Sequence, residues 1–146
     1  SWEAVSTGVA VNLTSLAVRD INNIYAGGAT GTLLHIQSGN AVTITLPAGL
    51  AAASINAITI PDSPTGFERD ETIYIGADNG TVYGSEDDGN NWTQIGLPET
   101  TGSVEALGCV DFLGQVLYVL FTPASGSSVI YRDWTRGAGG NNNMDA

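Results

Sequence analysis

Three aspartates recur at one place in the pattern of this chain. Asp20, Asp62 and Asp111 stand just past three apolar segments, Leu16-Ala17-Val18, Ser54 to Ile60 and Val104 to Leu107. Gathered around one axis, such acids would hold a cation or accept hydrogen bonds from sugar hydroxyls. Two of them facing across a cleft would suit glycoside hydrolysis. The simpler reading is turn aspartates that bond their own backbone. Tyr25, Tyr74 and Tyr118 also recur, each on the segment that follows. Large amphipathic rings there cover a neighbouring layer or, where they face solvent, stack on a sugar. His35 is the single histidine and sits between Leu34 and Ile36, which reads as packing. Cys109 is the single cysteine, so the chain forms no internal disulfide and no zinc cage of several thiolates.

Other chemistry is thinner. Asp78-Asn79-Gly80 and Asp87-Asp88-Gly89 offer oxygen donors without the twelve-residue spacing of a calcium loop, so a surface Ca2+ is the one cofactor considered and no metal ligand is assigned. Gly76 and Gly80 lack the following lysine and the strand–helix context of a phosphate loop. Asn12-Leu13-Thr14 and Asn91-Trp92-Thr93 fit the glycosylation acceptor triplet, which matters only on a secretory route. No catalytic residue is assigned.

Composition narrows the partners. Over 146 residues the formal net charge is -11, with four arginines and no lysine. Such a surface repels nucleic acid, whose capture needs Lys and Arg, and it disfavours anionic membranes. No apolar run reaches the length of a membrane span. With 42% hydrophobic residues the chain is too apolar for an acidic disordered tail. A polar surface with only 13% charged residues suits an extracellular or particle-surface setting. The start at Ser1 without Met is read as a removed leader or a longer gene product.

The elements that must position these residues are short strands in repeated units. In the middle unit Ile73-Tyr74-Ile75, Thr81-Val82-Tyr83 and Trp92 to Ile95 read as strands, with Asp78-Asn79-Gly80 and Asp87-Asp88-Gly89 turning between them. Ser54 to Ile60 alternates cleanly and supplies a first, innermost strand. Flanking copies place Ile24-Tyr25 ahead of Leu34-His35-Ile36, and Leu117-Tyr118 ahead of Ile130-Tyr131. His35, Tyr83 and Tyr131 thus fall 48 residues apart each time. A period of that length with about four strands is the mark of propeller blades. The fold class is therefore all-β, one propeller-like domain over 1–146, with units of about 14–47, 54–98 and 103–137. The stretch AGLAAAS after Pro47 reads as a crossover rather than a helix.

The third unit lacks a convincing fourth strand. Ser1-Trp2-Glu3-Ala4-Val5 resembles Asn91 to Ile95, so residues 1–6 are read as an outer strand that completes the third blade. Since propeller rings use about four blades or more, three suggest two protomers in a six-bladed ring, a head-to-tail array, or a piece of a larger propeller. A different β fold stays open.

Ser85-Glu86-Asp87-Asp88-Gly89-Asn90-Asn91-Trp92 resembles the Asp-box, or BNR repeat, Ser-x-Asp-x-Gly-x-x-Trp. Ser85, Asp87, Gly89 and Trp92 occupy its four defining positions, and Asn91 replaces the threonine that often precedes the tryptophan. Ser38-Gly39-Asn40 and Asp133 to Gly137 are degraded copies. The resemblance implies a β-propeller in which the box closes outer hairpins, away from the central face. It does not select an activity, because sialidases, other glycoside hydrolases, lectin-like propellers and assembly factors all carry it. A sialidase would need three clustered arginines, and only Arg19 follows an inner strand. Independently of the family, Asp87 can bond its own turn, Gly89 can take positive φ, and Trp92 can roof the core, which makes Trp92→Ala the expected worst substitution.

These readings converge on a structural and interaction module rather than an enzyme. Its expected partners are copies of itself or neighbouring chains, joined through blade edges within an extracellular particle, virion or filament. The alternative is a carbohydrate-binding, lectin-like propeller whose glycan lies near the recurring tyrosines or acids.

Overall fold

The structure, a computed structural model, describes residues 1–61, 71–111 and 115–133, with Asp111 and Gln115 described by backbone only. Asp62 and the glycine- and asparagine-rich tail from residue 134 lie outside these residues.

Alternating apolar residues bounded by Asn, Asp and Gly produce antiparallel hairpins throughout. The first sheet contains β1 (Leu13–Asp20), β2 (Asn23–Gly28), β3 (Thr32–Gln37) and β4 (Asn40–Thr43), in that order. The second contains β5 (Ile55–Thr59), β6 (Ile73–Ala77), β7 (Val82–Ser85) and β8 (Thr93–Ile95), again in chain order. The third has β9 (Gly102–Asp111), β10 (Gln115–Pro123) and β11 (Val129–Asp133), with β10 in the middle. The AGLAAAS stretch forms a single turn of 3₁₀ helix at Ala48–Leu50, and Leu50 is buried in the core.

The sheets stack like blades. β5 lies against β1 on one side and β9 on the other, so the first strands of the three sheets are neighbours. Two apolar cores fill the gaps between sheets. The first joins Tyr25 and Leu33 to Ile55, Ile73 and Tyr83; the second joins Tyr74 and Ala57 to Val104, Leu117 and Phe121. Close approach needs small residues at two matched places. A Cβ on Gly27 would meet Ile55 Cγ2 at 2.6 Å, and one on Gly76 would meet Val104 Cγ1 at 2.3 Å.

Strand register corrects one equivalence drawn from spacing. Tyr25, Tyr74 and Tyr118 pair with Ala17, Thr59 and Gly108, so they occupy one level of the three blades. Leu34, Tyr83 and Tyr131 then match, pairing with Ala26, Ile75 and Val119. His35 is one residue out of step with the two tyrosines. A shift of one residue reverses the face of a strand, and His35 accordingly stacks on Tyr25 instead of facing the other way.

In the single chain residues 1–12 carry no strand and Trp2 is fully exposed. One further expectation changes. Trp92 packs on the first core but is only partly buried. Truncating Tyr25, Tyr74 or Phe121, all fully buried, is therefore the costlier change.

Candidate functional site

The Ser85–Trp92 turn joins β7 to β8 and is closed by its own polar atoms. Ser85 Oγ donates to Asp87 Oδ1 at 2.8 Å and accepts from the Gly89 N–H at 2.8 Å. Asp87 Oδ1 also accepts the Asn91 N–H at 2.8 Å, and its Oδ2 accepts from Asn91 Nδ2 at 2.6 Å. These donors, with the Asn91 side chain foremost, hold the Asp87 carboxyl below its ordinary range. Gly89 takes φ +87, as the turn requires, and Asp88 before it takes φ +57.

That left-handed pair of residues accompanies a reach across the blade junction. Asp88 Oδ1 accepts from Tyr25 Oη at 2.9 Å and pairs with Arg19 Nη1. Arg19 Nη1 also donates to Tyr25 Oη at 3.1 Å, and the guanidinium lies 5.2 Å from the Tyr25 ring centroid. The His35 ring stacks on Tyr25 with centroids 4.5 Å apart and planes 9° from parallel. His35 Nε2 lies 2.9 Å from Asn23 Oδ1, whose amide Nδ2 donates to Asp20 Oδ2 at 2.9 Å. Burial first, then the bond to Asp88, raises the Tyr25 pKa, so the phenol stays protonated. Burial lowers the His35 pKa below 6.5.

Arg19, Asp20, Asn23, Gln37, Glu71 and Asp88 line a polar cleft of about 500 Å³ at this junction. Three carboxylates against one guanidinium make it net acidic. Asp88 is already engaged by two donors, and Arg19 Nε and Nη2 are buried without partners. The cluster therefore joins the first two blades; it presents no nucleophile with an adjacent base.

Of the acids expected around one axis, Asp20 alone has its side chain among the described residues. Asp20 is turned to its own hairpin, accepting the Asn22 N–H at 2.7 Å as well as the Asn23 amide; these bonds, Asn23 first, lower its pKa. The backbone of Asp111 ends β9, and its side chain, like Asp62, lies outside the described residues. Among the described residues, no group of three or more His, Cys, Asp or Glu is placed to hold a metal. The oxygens weighed for calcium have protein partners: Asn79 accepts from Thr81 Oγ1 at 2.6 Å within its own turn, and Asp78 accepts the N–H of Ser54, 24 residues away, at 2.9 Å.

The tyrosines divide. Tyr25 and Tyr74 are 0% and 2% exposed, so neither ring has a face open for a sugar; both fill the gap to the next blade. Tyr118, at the same level of the third blade, is 37% exposed. Val110, Leu120 and Ile130 share its open face, since Leu120 pairs with Ala106 and Ile130 two residues from Tyr118. At the opposite end, Leu16 and Val18 are 65% and 58% exposed. Their counterparts Ile58 and Ile60, and Leu107 and Cys109, pack against the preceding blade.

Asp88 was the residue that sequence reasoning overlooked, because it occupies a variable position of the Ser85–Trp92 pattern. The available signal was its place before a turn glycine, where Asp tolerates positive φ.

A solved structure described as YCF48 bound to D1 peptide shares this architecture, with a TM-score of 0.71 at 18% sequence identity. The match covers 99% of this chain and 43% of that one, so this chain spans under half the length of the solved chain. It shows a β-propeller-type fold. No family model matches the sequence, and no curated protein does. Among the described residues no helix is long and apolar enough to cross a membrane.

Proposed function

We propose that this chain is a non-enzymatic interaction module that binds another polypeptide through the open side of its third blade. The observation that carries the reading is the exposed Val110–Tyr118–Leu120–Ile130 face, whose counterparts in the other two blades are buried at blade junctions. Exposed contiguous apolar surface of this kind marks contact sites. The YCF48 of the solved complex holds a peptide, which agrees with a propeller used for binding. The hydrogen-bonded Ser85–Trp92 turn supports a place among Asp-box propellers. The acidic, lysine-free surface supports an extracellular or particle-surface setting, with virion or filament assembly as its finer form.

A photo-cross-linking residue at Ile130, compared with one at the exposed Gln94, tests the contact in the protein's native setting. Polypeptide adducts from position 130 and none from 94 are expected. Equal labelling at both positions, or no adduct, refutes the proposal. A lectin-like reading retains one ring, Tyr118; saturable binding on a glycan panel, lost in Tyr118→Ala, would establish it instead.

A further inference from the structure

We infer that the partner on this open face is a second copy of the chain, docked head to tail so that its residues 1–6 complete the third blade. The inference rests on the interaction reading above and names the occupant.

The first support is backbone geometry ahead of each first strand. Ala29 N donates to Asn12 O, Asp78 N to Ser54 O, and Ala124 N to Thr101 O, each at 3.0 Å. The first two bonds are equivalent, four residues past Tyr25 and Tyr74. The third lies two residues further along its hairpin, six past Tyr118. Each closes the start of an inner strand, at Leu13, Ile55 and Gly102. Side chains repeat the match. Val9 packs on Ala26, Leu34 and Ile36 of the first sheet, as Leu97 packs at the core between the second and third. The segment entering β1 is thus set like the linker that enters β9 from the outer strand of the preceding blade. Residues 96–101 link β8 to β9; residues 7–12 give the same span between positions 1–6 and β1. Trp2 and Val5, exposed in the single chain, then stand where an outer strand of a preceding blade belongs.

The second support is surface complementarity. Both blade junctions inside the chain bring the Tyr25/Tyr74 face of one sheet against the Ile58-Ile60/Leu107-Cys109 face of the next. The two surfaces left over among the described residues, Tyr118–Ile130 and Leu16–Val18, are the two sides of that same contact. Each chain carries one of each, so two copies satisfy both and close under twofold symmetry. β11 has β10 on one side and no described strand on the other, leaving backbone groups for residues 1–6 of the copy. The new junction is wider at one level: Leu120 stands two residues past Tyr118, where Gly27 and Gly76 stand two past Tyr25 and Tyr74.

Sedimentation equilibrium of residues 1–146 tests this. A mass twice the 15.0 kDa of one chain is expected. Deleting residues 1–6, or making Val18→Glu or Ile130→Glu, is expected to weaken association more than about tenfold, since each removes contacts or buries a charge. Both substituted sites are exposed, and unchanged circular dichroism confirms folding. Mixing Val18→Glu with Ile130→Glu is expected to restore a dimer, because one intact junction can still form between unlike variants. A monomeric wild-type chain, or a mixture that stays monomeric, overturns the inference. A dimer indifferent to deletion of 1–6 overturns the strand completion, with the edge then filled by residues 134–146 or left open. A monomer that still cross-links another polypeptide from position 130 leaves the interaction reading standing and removes only the second copy.

Discussion

Replacing Asp88 by alanine tests whether the junction cluster holds the first two blades together. The substitution strands the Arg19 guanidinium, whose side chain is 14% exposed and whose Nε and Nη2 already lack partners. Breaking a fully buried pair costs about 3–5 kcal/mol. Asp88 is 36% exposed, so solvent screening reduces that to about 2 kcal/mol. The buried Tyr25 hydroxyl loses its acceptor as well, at about 1 kcal/mol. The expected total is about 3 kcal/mol, or a fall in Tm of about 10 °C for a chain of this size. Urea unfolding followed by tryptophan fluorescence measures it, since Trp92 packs on the same core. Arg19→Met in the Asp88→Ala background should recover part of the loss by removing the stranded charge. A loss below about 0.5 kcal/mol, or strictly additive single and double variants, would refute the reasoning.

Gly76→Ala should destabilise by about 1–3 kcal/mol, because its Cβ meets Val104 Cγ1 at 2.3 Å, whereas Gly108→Ala, with nothing within 4 Å, should not; equal effects in denaturant unfolding would refute this use of glycine. Ser85→Ala removes the acceptor of the buried Gly89 N–H and should cost about 1–3 kcal/mol, checked by thermal unfolding. Stability should decline with acid in two windows. The folded His35 pKa lies below 6.5, so the unfolded chain takes up the proton first and stability falls as pH drops below about 6.5. Asp20 and Asp87 lie below 3.8, so their contribution is present above that value and is lost as pH falls further. His35→Gln should abolish the first window and leave the second; denaturant midpoints across pH decide it.

Much of the scaffold was legible without coordinates. Strands have a period of two, and Asn, Asp and Gly mark turns by their backbone freedom, so the hairpins at Asp78-Asn79-Gly80 and Asp87-Asp88-Gly89 could be placed from residue types alone. The polar closure of the Ser85–Trp92 turn was legible for the same reason: its partners lie within a few residues. Register was less secure. His35 and Tyr83 share a spacing but not a face, and a one-residue slip leaves the alternating pattern intact while reversing every side chain.

What lies between blades depended on tertiary structure. Whether a tyrosine on a second strand is covered cannot be read from its own strand: Tyr25 and Tyr74 are buried and Tyr118 is not because of what packs beyond each. The contact of Asp88 with Arg19 and Tyr25 spans more than sixty residues of chain, and no local pattern specifies such a partner. The amino-acid order alone determined the strands, their turns and the repeated sheets, because those rest on local backbone preference and alternation. Only the stacking of the sheets decided which rings are buried, which acids are occupied and which faces stay open, because burial and long-range pairing belong to surfaces that the chain brings together on folding.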